Sequence, residues 1–354
     1  MSKRYVMQDS LWAGTEASLG AFMSSSEAIA EKMAAGMFED DEEDDDLPEI
    51  LQIQNGIGVL SIHGPLTNND SPWNRFFGIT SYNDIREAMM AAAGRDDIET
   101  ILLDINSGGG AVNGVDDAAK LISMIDRNVK PVIAYTDGAM CSAAYWLGSS
   151  AREVYASNVA VVGSIGVIST HMEHSKALKE DGIGVTVMRA GKYKALANSV
   201  EPLTKEAKDQ IQGQLDQVYS IFLNHVAAAR GKSADYADQH MAQGREFIGQ
   251  QALGAQLVDG IESFDSVMSM VQKRFVGAQG QDNRATFVQQ GTPMKQKHAM
   301  TEQELAAIAA GISVEAATDA EGSADVTESG EANVEANAEA NVEAGAEANS
   351  GESA

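Results

Sequence analysis

The 354 residues carry 52 Asp and Glu against 25 Lys and Arg, a formal net charge of −27, which excludes nucleic acid as the main partner because phosphate binding needs clustered cations. With 44% hydrophobic residues the chain is long enough to bury a sizeable core, and its longest apolar runs, such as "VAVVGSIGVI" at 159–168, fall well short of the roughly 20 residues of a membrane span. A single cysteine, Cys141, rules out an internal disulfide and no charged-then-apolar leader opens the sequence, so the expected setting is a reducing compartment without membrane contact.

Residues 1–47 combine a weakly helical "SSSEAIAEKMAAG" with the acidic run "EDDEEDDD" at 39–46 and read as an N-terminal extension. From Ile57, short β-rich runs alternate with helical periodicity: "IGVLSIHG" (57–64), "IETILLDI" (98–105), "PVIAYT" (131–136), "REVYAS" and "VAVVGSIGVIS" (152–169), and "GVTVMRAG" (184–191). Between them Ala118, Leu121, Ile122 and Ile125 share one helix face, and the alternation predicts an α/β domain, 48–275, with a largely parallel sheet and flanking helices. A long helix follows, with a stripe of Ile211, Leu215, Val218, Phe222 and Val226 that serves either the core or an oligomer seam, stopping near Gly231. Beyond 275 the composition turns to Gln, Gly, Asn and Thr. From Glu331 to Glu347 a glutamate recurs every fourth residue, so 276–354 reads as a linker and a disordered, acidic, low-complexity tail.

Three stretches could carry chemistry. "INSGGGAVNG" (105–114) follows a strongly apolar strand and presents three consecutive glycines, suited to a turn or to backbone N–H donors for an oxyanion; it lacks the lysine of a phosphate loop. "GAMCSAAYW" (138–146) sets Cys141 and Ser142 at a strand-to-helix junction, where a serine is either a helix cap or a nucleophile and a cysteine packs. The histidines His63, His171, His174, His225, His240 and His298 show no triad or metal-ligand context, which leaves Lys192 and Lys194 in "MRAGKYKALANSVEPLT" (188–204) as exposed lysines or as a general base. No metal or other cofactor is expected.

Taken together, "NSGGGAV", "MCSAAYWLGSSAREVYASNVAVVGSIGVI", "AGKYKALANSVEPLT" and "GREFIGQQALGAQLVDGI" (244–261) resemble four ordered motifs of the S49 peptidases, the family of signal peptide peptidase A and its phage relatives. The resemblance spans about 57–265 and implies a crotonase-like, ClpP-related fold and peptide hydrolysis through an acyl-enzyme. Matched residue by residue, it implies that Ser142 is the nucleophile, Lys194 the general base, Ser164 the serine that orients the lysine amine, and Gly109 and Gly110 the oxyanion hole. The chain departs from the family pattern at Gly108, where proline is usual, and at Ala143 and Ala144, where glycines often follow the serine.

Within the family the resemblance is nearer the head maturation proteases of lambda-like capsids. It implies a phage prohead endopeptidase in the host cytoplasm, inside the assembling procapsid. Its partners would be scaffold and head proteins such as the major capsid protein and portal, alongside further copies of itself in a ring whose neighbouring subunits complete the groove. Met294 and Met300 stand where an internal scaffold-like product would begin. The competing readings are a soluble signal-peptide-peptidase-like enzyme, a non-catalytic assembly protein, and an acyl-CoA enzyme of the crotonase type.

Overall fold

The computed structural model describes residues 11–24, 48–71 and 73–276. The acidic run at 39–46 and the predicted linker and tail beyond 276 lie outside these residues. The N-terminal stretch contributes strand β1 (Trp12–Gly14) and a helix, α1, over 16–24. After β2 (Leu51–Gln54) come β3 (Ile57–His63), β4 (Leu66–Thr67), α2 (Trp73–Phe76), β5 (Thr80–Ser81), α3 (Tyr82–Gly94), β6 (Thr100–Asn106), β7 (Gly109–Ala111) and α4 (Val115–Asn128). Then follow β8 (Val132–Thr136), β9 (Ala139–Cys141), α5 (Ala143–Gly148), β10 (Glu153–Ala156), β11 (Val161–Gly163), α6 (Ser175–Glu180) and α7 (Lys205–Ala229). The last are α8 (Ala234–His240), β12 (Glu246–Ile248), α9 (Gln250–Gly254), β13 (Gly260–Ile261) and α10 (Phe264–Val271).

The main sheet has the order β13-β10-β8-β6-β3-β2, parallel throughout except for β2. Its central strands are Ile-, Leu- and Val-rich because both faces are covered: β8 is buried at every position, and β3 and β6 at all but two each. Two small sheets stand at its carboxyl ends, β12-β11-β9 and β1-β7-β4-β5. The expected α/β class with parallel strands is what the chain adopts.

The helices follow the predicted faces. Ala118, Leu121, Ile122 and Ile125 of α4 are all buried. In α7 only the second half of the predicted stripe, Phe222 and Val226, is buried, whereas Ile211, Leu215 and Val218 are only partly covered. The helix ends at Arg230, followed by Gly231 at φ +62°. Trp146 of α5 stacks on Phe222 with centroids 4.4 Å apart and planes at 4°, which docks the short helix on the long one. Helix α3 starts in a capping box, Ser81 accepting from Asp84 N–H and Asp84 accepting from Ser81 N–H. Ser81→Ala removes one half of it, and a loss of about 1 kcal/mol is expected in urea unfolding with α3 otherwise intact.

Three expectations need correction. The two runs in 152–169 form two strands, but the second, "VAVVGSIGVIS", is strand only as far as Gly163, where Ser164 turns to φ +53°. "GVTVMRAG" at 184–191 is not a strand; its apolar alternation finds no partner strand among the described residues. The N-terminal region is not wholly an appendage: Trp12 is buried with Phe22 and Ile79 in a cluster of its own, and β1 joins a sheet.

Candidate active site

Parallel strands β9 and β11 run in register, Cys141 opposite Gly163, so the residues that follow them, Ser142 and Ser164, emerge side by side. Both leave their strands at positive φ, +54° and +53°. Ser142 N–H donates to Gly163 O at 2.7 Å and Ser164 N–H to Arg245 O at 2.7 Å, which fixes both turns. Arg245 lies in "GREF", the start of the fourth sequence motif, and the strand it leads into, β12, closes the sheet on β11. This is the structural use of that motif, and it holds Ser164 from behind.

The capping role for Ser142 fails on geometry. It is the residue before α5, yet its side chain makes no cap hydrogen bond, and its backbone, at φ +54° and ψ −121°, is that of a sharp strand-to-helix elbow. Such backbone strain costs roughly 1–3 kcal/mol and clusters at catalytic turns. The hydroxyl's one hydrogen bond is a long one, 3.4 Å to Gly166 O. Cys141 packs as expected: it is 1% exposed, and burial pushes its thiol up to about 12.

The glycine stretch lies beside this elbow. Ser107 is stitched to β9 through its N–H to Ala139 O at 2.7 Å and through Cys141 N–H to its own carbonyl at 3.1 Å. Its hydroxyl donates to Gly64 O at 2.6 Å and accepts from Gly109 N–H at 3.1 Å. Ser107 is the residue that sequence reasoning passed over, although it sits inside the quoted motif. Gly109, at φ +96°, has the carbonyl oxygens of Ala13 and Cys141 where a Cβ would stand, and Gly110 has the Leu66 carbonyl there. Tyr82 Oη donates to Ala111 O at 2.6 Å and pins the end of β7.

Lys194 is placed differently. It lies on an exposed stretch between α6 and α7, its N–H bonded to Gly191 O at 3.1 Å, and its amine makes no hydrogen bond or ion pair with Ser142 or Ser164. Lys192 is committed elsewhere, to Glu206 at 2.9 Å, and that carboxylate raises its pKa and holds it as a cation. Exposed apolar side chains crowd the same stretch: Ile183, Val185, Tyr193 and Met188, the last 91% exposed. The fold thus brings together Ser142, Ser164, Gly109 and Gly110, and leaves Lys194 at the surface. No helix among the described residues is long and apolar enough to cross a membrane.

Comparison with known proteins agrees with the motifs. Residues 125–276 match the model of peptidase family S49. Over 260 residues the chain is 30% identical to the capsid assembly protease C of Escherichia phage lambda, covering 72% of this chain and 57% of that protein. Over 222 residues it is 29% identical to the head-tail preconnector protein GP5 of Enterobacteria phage P21, covering 63% and 44%. The chain therefore spans about half the length of these relatives. Among solved structures, an enoyl-CoA hydratase/isomerase family member overlaps 66% of this chain and 76% of its own at 14% identity and a TM-score of 0.38. The matched part, residues 125–276, is the part that carries Ser142, Ser164 and Lys194, and it is similar to peptidase family S49.

Proposed function

We propose that this chain is a serine endopeptidase that acts in phage capsid maturation, cleaving scaffold, itself and other head proteins within the assembling procapsid. The observation that carries the proposal is the Ser142 elbow, a serine held in strained backbone beside a glycine strand and spared from any capping bond. The family match and the phage relatives support the setting.

In this reading Ser142 Oγ attacks the scissile carbonyl carbon and Lys194 Nζ takes the hydroxyl proton. The oxyanion forms beside Gly109 and Gly110. Ser107, which now occupies the Gly109 N–H, keeps the strand in register and yields that donor to the stronger negative charge. The amine proton returns to the leaving nitrogen, and the same lysine then activates the water that releases the acyl group. Ser164 stands where it can hold the arriving amine. Lys194 reaches Ser142 from a neighbouring copy: the lysine is at the surface, and the exposed Ile183, Val185, Met188 and Tyr193 around it are the makings of an interface.

The acidic, alanine-rich tail is the nearest substrate. Expressed alone, the wild-type chain is expected to cut itself between about residues 275 and 330, and Ser142→Ala to remain at full mass at every time point, a loss of roughly 10³-fold or more in processing rate. Intact-mass spectrometry of both chains decides it, and processing that survives Ser142→Ala would remove the nucleophile from this residue.

A further inference from the structure

β1 bridges two backbone segments. On one side it runs antiparallel to β7, Ala13 opposite Gly110 and Gly14 opposite Gly109. On the other, Trp12 and Ile168 exchange both backbone hydrogen bonds at 3.0 Å. Thr15 N–H to Gly108 O at 2.8 Å and Val112 N–H to Leu11 O at 3.3 Å extend the ladder over residues 11–15. The Ala13 carbonyl and the carbonyl of Cys141, the residue before Ser142, crowd the same position on Gly109, so the strand passes directly beside the nucleophile turn. β1 also packs against α5, and Ser142 is 1% exposed.

A peptide offered to a serine nucleophile has to lie extended past it with its own N–H and C=O groups satisfied. Insertion as a strand between two open edges meets both requirements. The slot between residues 109–112 and Ile168 is such a site, and residues 11–15 fill it. We infer that this N-terminal segment is an internal occupant of the substrate-strand slot, and that it slows the chain, self-cleavage included, by leaving only the fraction with the segment displaced competent. The inference rests on Ser142 being the nucleophile. It also names the ligand: an extended peptide read through its main chain, with a small residue opposite Gly110, where Ala13 is fully buried.

Two further observations fit an occupant that leaves. Trp12, the anchor, packs its ring 5.3 Å from Phe22, yet its indole Nε1 is buried without a hydrogen-bond partner, a cost paid only while the strand is docked. Gly108 makes the seat. A Cβ there would lie 2.7 Å from Thr15 Oγ1 and 2.8 Å from Ser18 Cβ, and its carbonyl accepts Ser18 Oγ at 3.2 Å.

The test uses the full-length chain with Trp12→Ala and Trp12→Phe, and reads two quantities: the rate of covalent labelling of Ser142 by a fluorophosphonate, and hydrogen exchange at the Ile168 amide. Trp12→Ala removes the anchor and is expected to speed labelling by about tenfold or more while deprotecting Ile168, since the competent fraction rises. Trp12→Phe keeps the ring packing and removes the orphan N–H, so it is expected to label no faster than wild type. Should Trp12→Ala fail to fold, Ala13→Asp, which puts a charge at a fully buried position of the strand, takes its place with the same expectation. Equal labelling of wild type and Trp12→Ala with Ile168 deprotected overturns the slowing alone and leaves the nucleophile standing. Slower labelling of Trp12→Ala in a folded chain means the strand is a structural part of the site, and also overturns it. Absence of labelling in every form, matching a Ser142→Ala control, overturns the nucleophile assignment and the inference with it.

Discussion

Co-expression of the two inactive chains, Ser142→Ala and Lys194→Ala, is expected to restore cleavage to about one quarter of the wild-type rate. Each substitution alone removes one half of the proposed pair and abolishes processing. In a closed ring with head-to-tail contacts, each site takes its lysine from one copy and its serine from the next. When the two chains assort at random, the lysine donor is intact in half of the sites and the serine acceptor in half, so about a quarter of sites hold both. The physical basis is the placement of Lys194 at the surface without a bond to Ser142, in a stretch that exposes Met188 and Tyr193 to water. Cleavage rates measured on co-expressed, co-purified chains settle the matter. Zero recovery would mean that the lysine reaches the serine within one copy, by rearrangement of the 182–204 stretch.

Acid is expected to destabilise the protein through His225. Its Nε2 lies 2.9 Å from Ser150 Oγ, and its ring sits 5.9 Å from that of Trp146. Burial lowers its pKa to about 4, with Lys120 and Arg127 adding to the effect and Asp116 opposing it. The sign follows from linkage: above pH 6.5 neither folded nor unfolded chain protonates this group, and its neutral form fits the fold without penalty. As the pH falls from 6.5 toward 4 the unfolded chain takes up the proton first, so stability is lost across that window, by up to about 3 kcal/mol. Urea unfolding of wild type and His225→Gln at pH 7 and pH 4.5 tests this. The variant is expected to lose less stability between the two, and equal losses would assign the acid sensitivity to other groups. The loss falls on the α5–α7 contact, because Trp146 and Phe222 stack beside this histidine.

The sequence carries those parts of the fold that are decided locally. β3, β6 and β8 are legible because a strand covered on both faces has to be apolar throughout, and α4 because a helix covered on one face repeats at three and four. The strand that the pattern predicts at 184–191 does not form for the complementary reason: alternation makes a segment fit for a sheet, but a strand exists only where another backbone offers hydrogen bonds. β1 has the opposite problem. "WAG" has no pattern at all, and only its pairing with β7 and Ile168 makes it a strand. In the site, Ser142, Ser164 and the two glycines are legible through their motifs. Ser107 is not, because a hydroxyl bridging Gly109 N–H and Gly64 O joins points 45 residues apart in a chain whose spacing says nothing of it. The separation of Lys194 from Ser142 is a property of how the loop between α6 and α7 settles, which no local signal encodes.

The burial of Cys141 has a practical side. With its thiol pushed to about 12 and 1% of its surface open, the only sulfhydryl of the chain stays inert to maleimides and iodoacetamide at neutral pH. The native protein is therefore a ready background for site-specific dyes. Val159→Cys, at a position 75% exposed and outside the 183–193 stretch, would be its single reactive position, and energy transfer between donor- and acceptor-labelled chains would report when two copies come within reach of each other, without altering any residue assigned to the chemistry or to the proposed interface.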